Sequence, residues 1–173
     1  YWNILDIRLA EAMTDQLEPQ EALDLVAEEW EEITDDIGRD FLLDIYQQEK
    51  DWAKAIDVAR QIERDAGGSR QREISHYLCE LAESEAGRSR PDEARRRLEE
   101  ALAANRKCVR ANLVLGDLHA AAGDHAAAID AWQRIEQQQP AYMALAAQRL
   151  LASYRVLGRD AEGIRLLRGC LER

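Results

Sequence analysis

Apolar residues in the middle of this 173-residue chain recur at a fixed offset of 34 positions. The matching pairs are Leu81 and Leu115, Ala82 and Gly116, Ala94 and Ala128, Leu98 and Trp132, and Ala101 and Ile135. In the second half of each copy these residues are three or four positions apart, as on the apolar stripe of an α-helix. A repeat of this length predicts two helices per copy, with a core that is shared between stacked copies.

The same frame extends in both directions. Downstream, apolar anchors from Leu150 to Cys170 continue at an offset of 35, and upstream "DWAKAIDVARQI" is similar to "DHAAAIDAWQRI" of the best copy. The period and the anchors resemble the tetratricopeptide repeat, and Trp132 occupies the position of a large side chain between the two helices. No segment alternates apolar and polar residues as a half-buried strand does. The sequence therefore predicts an all-α, tetratricopeptide-like helical-hairpin solenoid of about eight helices.

Turn and capping residues agree with this frame. Gly123 and Gly158 are placed to end first helices in the left-handed conformation. After these glycines, Asp124 and Asp160 are placed as N-cap residues of the next helices. Ser89, two residues before Pro91, is interpreted as an N-cap residue in the same way. Each boundary falls where the repeat requires a turn.

Charge divides the chain into two parts. Residues 1–40 hold thirteen acidic side chains against Arg8 and Arg39, so this segment carries the whole net charge of −11, and residues 41–173 are neutral overall. Apolar stripes in residues 1–34 predict an acidic helical hairpin that caps the repeats of 41–173, the two parts stacking as one continuous domain. A surface without excess positive charge argues against nucleic-acid binding.

Residues 41–173 resemble the cytoplasmic repeat domain of the lipopolysaccharide assembly protein B family of Gram-negative bacteria. The resemblance rests on "LLDIYQQEKDWAKAIDVA", "REISHYLCELA" and "CVRANLVLGDLHAAAGDHAAAIDAWQRI". It implies a non-catalytic protein–protein interaction scaffold: an adaptor at the inner membrane that helps a membrane protease degrade the deacetylase committing carbon to lipid A. The family also has a transmembrane helix and a zinc domain with paired C-x-x-C motifs. This sequence carries neither, so we expect a cytoplasmic domain without membrane contact or metal.

Residues 1–40 resemble something different. "EALDLVAEEW" is similar to the C-terminal helices of sugar-binding proteins of ABC importers, in which such helices are packing elements. Two unrelated resemblances that meet at the charge step leave an alternative open, namely an engineered or chimeric helical protein without a native function. The start at Tyr1 rather than at methionine agrees with a trimmed chain.

Tetratricopeptide superhelices bind partners in a concave groove lined by the first helix of each repeat. Carrying this geometry over predicts a partner-binding groove formed by Asp40, Asp44, Gln47, His76, Cys79, Glu83, Arg110, Leu113, Asp117, Gln148, Arg149 and Arg155. The charges run from acidic to basic along it, and Arg149 and Arg155 are interpreted as sharing one helix face with Arg110 nearby. Leu113 and Asp117 replace the asparagine and lysine of the carboxylate clamp, so we expect a protein or peptide segment rather than a chaperone C-terminus.

Residue types for catalysis or metal binding do not assemble in the sequence. Cys79, Cys108 and Cys170 contain no C-x-x-C spacing, and Glu73 with His76 forms one E-x-x-H where a di-iron site needs two. There is no glycine-rich phosphate loop and no nucleophile elbow. We therefore predict no catalytic residue, no cofactor and no metal, with the cysteines reduced.

Overall fold

The computed structural model describes residues 36–66 and 68–171, and the regular elements in these two ranges are all helices. They are α1 (Asp36–Gln48), α2 (Trp52–Ala66), α3 (Gln71–Gly87), α4 (Pro91–Ala104), α5 (Val109–Ala121), α6 (His125–Gln138), α7 (Met143–Val156) and α8 (Asp160–Leu171), with a short 3₁₀ turn at Pro140–Tyr142. Eight α-helices without a strand in the described ranges confirm the predicted all-α repeat architecture. The hairpin predicted for residues 1–34 lies outside the described residues, and its docking stays a prediction.

The chain separates into two compact units, divided after Gly67. In the first unit α1 packs against α2 through buried apolar residues: Leu42, Leu43, Tyr46, Ala55, Ile56, Val58, Ala59 and Ile62. Arg39 is almost fully buried, and its guanidinium lies 2.8 Å from the Asp65 carboxylate of α2. Because α1 begins at Asp36, the step in charge and resemblance near residue 40 falls inside a continuous helix.

The second unit contains three helical hairpins, α3/α4, α5/α6 and α7/α8. Each second helix also packs on the first helix of the next hairpin. One cluster of buried apolar residues extends from α5 and α6 through α7 to α8. The repeat anchors predicted from the offset of 34 are buried except for Leu81, which is half-buried, and Leu150 and Tyr154 continue them into the last hairpin. Leu167 and Cys170 of α8 complete this core from the side.

Helices α5 and α6 approach closely where Gly116 faces Trp132. A Cβ atom built on Gly116 would lie 2.2 Å from Trp132 Nε1, so any larger residue would have to displace the indole ring. Trp132 is 1% exposed, and its Nε1 donates a hydrogen bond to the Leu113 carbonyl oxygen at 3.1 Å. In the preceding repeat the same two positions hold Ala82 and Leu98. Alanine is larger than glycine and leucine is smaller than tryptophan, so the two positions change in size in opposite directions.

The predicted turns are largely confirmed. Gly123 and Gly158 have φ of 80° and 67°, the left-handed conformation that glycine adopts without a Cβ penalty. The Asp124 carboxylate caps α6 by accepting the Ala127 N–H at 3.0 Å. The prediction for Ser89 is wrong. The N-cap residue of α4 is Arg90, which makes no side-chain cap hydrogen bond, and Ser89 lies in the turn before it with a left-handed φ of 60°.

Asp160 belongs to the first turn of α8 rather than preceding it. A carboxylate in this place still interacts favourably with the positive end of the helix dipole. Across the described residues, no helix is both long and apolar enough to cross a bilayer.

Replacement of Trp132 by alanine tests the inter-helix packing of the central repeat. We expect Trp132→Ala to lower the free energy of unfolding by ~3–5 kcal/mol, because it leaves a cavity between α5 and α6. Chemical denaturation followed by circular dichroism measures this change. A midpoint equal to that of the original chain would contradict the buried position.

A double-mutant cycle tests the size match between Gly116 and Trp132. Gly116→Ala alone should destabilise the fold, because the new methyl group overlaps the indole ring. In a Trp132→Leu background the pair reproduces the Ala82 and Leu98 pair of the preceding repeat, so the added cost of the alanine should largely vanish. Equal costs in both backgrounds would show that the two positions do not interact.

Candidate functional site

The first helices α3, α5 and α7 lie side by side in the second unit, with contacts from α3 to α5 and from α5 to α7. We define the α3–α5–α7 surface as the exposed or half-buried side chains of these helices at and beside the predicted groove positions. Its members are His76, Glu80, Glu83, Arg110, Leu113, Asp117, Leu145, Gln148 and Arg149.

Arg110 of α5 crosses to α3 and binds two carboxylates. Its guanidinium lies 2.5 Å from Glu80 Oε1 and 2.9 Å from Glu83 Oε1, and its Nη1 is 3.4 Å from His76 Nδ1. Partial burial disfavours the guanidinium charge, but pairing with the two carboxylates outweighs it and raises the pKa of Arg110. One guanidinium faces two carboxylates here, so the ion pairs of Arg110 leave one negative charge in excess.

A second ion pair joins α5 to α7. Arg149 Nε lies 2.8 Å from Asp117 Oδ1, and Arg149 Nη1 also donates to the Leu145 carbonyl oxygen one turn earlier. Partial burial raises the pKa of the Asp117 carboxyl, and the guanidinium of Arg149 opposes this rise. These three ion pairs connect successive first helices, two between α3 and α5 and one between α5 and α7.

The predicted convergence of three arginines is wrong. Six residues along an α-helix correspond to about 120° of rotation, so Arg149 and Arg155 cannot share a face. Arg155 instead pairs with Asp160 at the start of α8, at 3.2 Å, while Arg110 turns toward α3. Each of these three arginines is therefore matched by a neighbouring carboxylate, and the charge gradient along the groove stays a prediction.

The uncharged part of the surface lies on α7. Gln148 is exposed, and Leu145 is 50% exposed although it is a large apolar residue. Leu113 of α5 is half-buried and packs against the core, so it presents only part of its side chain. Sequence reasoning missed Leu145, whose signal was its offset of 35 from Arg110, the same repeat position.

The three remaining groove residues of the first unit lie on α1. Asp40 and Asp44 are exposed, and Gln47 is half-buried. The Gln47 amide donates to Asp44 Oδ1 at 3.3 Å within the helix. Their participation in a common groove with the second unit stays a prediction.

Cys79 does not line a surface, which corrects the prediction. It is 0% exposed because position 79 of α3 faces the start of α5, where the Cys108 sulfur lies 3.8 Å from Cys79 Sγ. Cys108 is half-buried and occupies the N-cap position of α5. No C-x-x-C spacing marks this pair, since the two cysteines are 29 residues apart and meet only through repeat stacking.

No metal-binding group is present in the part of the chain that the structure describes: three or more His, Cys, Asp or Glu side chains nowhere gather in a suitable geometry there. Glu73 and His76 remain a single motif on α3, and His76 faces the Arg110 cluster. The geometry of the described surface is thus that of paired charges and hydrogen-bonding groups, which can recognise a polypeptide.

Comparison with known proteins places the hairpins in a class. Residues 79–143, from the middle of α3 to the start of α7, match the family model of the tetratricopeptide repeat. This region of the chain is therefore built of tetratricopeptide repeats, as the period predicted.

The chain is similar in sequence to lipopolysaccharide assembly protein B, which confirms the predicted resemblance. It is 31% identical to the protein of Escherichia coli (strain K12) over 131 residues, 76% of the chain, and 32% identical to that of Haemophilus influenzae over 101 residues, 58% of the chain. The alignments span 34% and 25% of those two relatives, so the chain corresponds to about a third of their length or less.

Solved structures of MamA share the fold. One superposes with a TM-score of 0.57 at 18% identity, covering 99% of this chain and 95% of that chain, and a second with a TM-score of 0.53 at 20% identity, covering 78% and 70%. At this level of identity the likeness supports the helical-repeat fold alone.

Removal of Arg149 tests the ion pair that joins α5 to α7. In Arg149→Met the pKa of Asp117 should rise further, because burial then acts without the compensating guanidinium. A raised carboxyl pKa in the folded state means that stability is present at acid pH and is lost as the pH rises through that pKa. The substitution should therefore cost about 0.5–1 kcal/mol at pH 7 and less near pH 4.

Urea denaturation of the variant and the original chain at both pH values measures this difference. Arg155→Met is the matched control, because Arg155 is far more exposed and pairs with a carboxylate of the adjoining helix. A cost for Arg149→Met that does not change with pH would contradict the role assigned to Asp117.

Proposed function

We propose that this chain is a non-catalytic protein–protein interaction module of lipopolysaccharide assembly, and that it binds a segment of a protein partner along the α3–α5–α7 surface. The observation that carries the proposal is the tetratricopeptide architecture of residues 79–143 in a chain similar to lipopolysaccharide assembly protein B. The name of these relatives supports lipopolysaccharide assembly as the process in which the chain acts. The repeat fold supports binding as the mode of action.

Two properties of the surface support a polypeptide as the ligand. Its charges are arranged as pairs between successive helices, so approach of a ligand exchanges existing hydrogen bonds instead of neutralising a single strong charge. Beside them, Leu145 and Gln148 offer an exposed apolar side chain and an exposed amide. An extended or helical segment with alternating apolar and polar side chains would match this mixture.

The similarity also suggests where the partner is found. The family resemblance implies an adaptor on the cytoplasmic side of the inner membrane, with a membrane protease and the deacetylase of lipid A synthesis as partners. We propose these two proteins as the candidates to test. Because the chain spans only part of its relatives, membrane attachment of a longer protein is compatible with this function.

A pair of matched substitutions tests the binding surface. Leu145→Glu places a charge on α7 within the α3–α5–α7 surface, and Ile164→Glu does the same on α8, at a residue of nearly equal exposure (50% and 47%). We expect Leu145→Glu to weaken binding to whichever candidate partner binds the original chain by about tenfold, because the substitution buries a charge at the contact. Ile164→Glu should leave binding unchanged.

Calorimetry with each purified candidate measures the affinity, and circular dichroism verifies that both variants are folded. If neither candidate binds the original chain, the proposed partners are wrong. If binding occurs but Ile164→Glu weakens it more than Leu145→Glu, the proposed surface is wrong, and the second helices carry the contact.

A further inference from the structure

Two cysteines from successive repeats meet at the boundary between α3 and α5. Cys79 Sγ and Cys108 Sγ are 3.8 Å apart, whereas the sulfurs of a disulfide are about 2 Å apart. A movement of about 2 Å would therefore join them. Both are free thiols in this structure.

The two thiols differ in position and exposure. Cys79 lies in the middle of α3 and is 0% exposed, so its backbone is fixed by the helix. Cys108 occupies the N-cap position, in an extended conformation after the turn that ends α4, and its side chain is half-buried. The partly exposed cysteine is thus the one at a helix end, where a side chain can rotate with little cost to the helix.

The surroundings also favour the thiolate of Cys108. Its pKa is lowered to about 5, chiefly because the Cys79 S–H donates to it; burial opposes this fall, and the N–H groups of Ala111 and Arg110 add to it. The same contact, together with burial, raises the pKa of Cys79. The pair therefore consists of an accessible thiolate next to a buried thiol, the arrangement of an attacking and a resolving cysteine.

We infer that Cys79 and Cys108 form a reversible intrachain disulfide when the protein meets a low-molecular-weight disulfide. In the first step the Cys108 thiolate attacks one sulfur of the oxidant, a mixed disulfide forms, and one small thiolate leaves. Cys79 then attacks Cys108 Sγ, its proton passes to the departing sulfur, and the second small molecule leaves as a thiol. Two protein thiols are oxidised, and one small disulfide is reduced to two thiols.

This disulfide would lie beside the Arg110 contacts with Glu80 and Glu83. Cys108 precedes Arg110 by two residues, and Cys79 is followed directly by Glu80. The bond would covalently link α3 to the start of α5 across a repeat boundary. It does not depend on the proposed function, since it requires only the two thiols and an oxidant.

Oxidised glutathione provides the probe. The whole chain is incubated in buffers with a series of reduced-to-oxidised glutathione ratios, quenched with acid, alkylated under denaturing conditions and digested with trypsin. We expect a tryptic peptide of residues 73–88 disulfide-linked to residues 108–110, and the same product from Cys170→Ser. Cys170 lies in another hairpin, on α8, and serves as the internal comparison.

Cys108→Ser is the decisive variant, because the residue is half-buried and its loss is compatible with folding. This variant should show no linked peptide, and oxidation should no longer raise its melting temperature, whereas the original chain should melt higher when oxidised. A stable glutathione adduct on Cys108 with Cys79 alkylated, or links between two chains only, would overturn the inference. So would equal melting temperatures of the oxidised and reduced original chain.

Discussion

Close approach of paired helices is the constraint on which this structure depends. A repeat hairpin can bury its apolar stripe only if the two helices approach to side-chain contact, and Gly116 permits this against Trp132. Because the indole fills the space and donates its N–H to the Leu113 carbonyl, one residue sets both the distance and the rotation of α5 relative to α6. That rotation determines which side chains of α5 face α3 and α7, including Arg110 and Asp117.

The polar surface is a consequence of this packing. Arg110 reaches back to Glu80 and Glu83, and Asp117 reaches forward to Arg149, because stacking places equivalent turns of successive first helices beside one another. The same stacking brings the start of α5 against the middle of α3, where Cys108 meets Cys79. The ion pairs and the thiol pair thus all lie between the first helices of successive repeats. Both kinds of contact join neighbouring repeats.

Much of the fold could be predicted from local sequence. The offset of 34 located the helices, the positive φ of Gly123 followed from its place after α5, and the cap by Asp124 followed from its place before α6. The candidate site was predicted less well, because its contacts join residues about 30 positions apart. Periodicity identifies which helix a residue occupies, but the partner of Arg110 and the burial of Cys79 depend on rotation and stacking.

Amide hydrogen exchange of the chain, with and without a bound candidate partner, tests the central claim most directly. If the first helices form the binding surface, the partner should slow exchange in α3, α5 and α7, including the turn of α7 that carries Leu145. Exchange in α4, α6 and α8 should be unchanged. Slowed exchange confined to the second helices would contradict this account of the molecule.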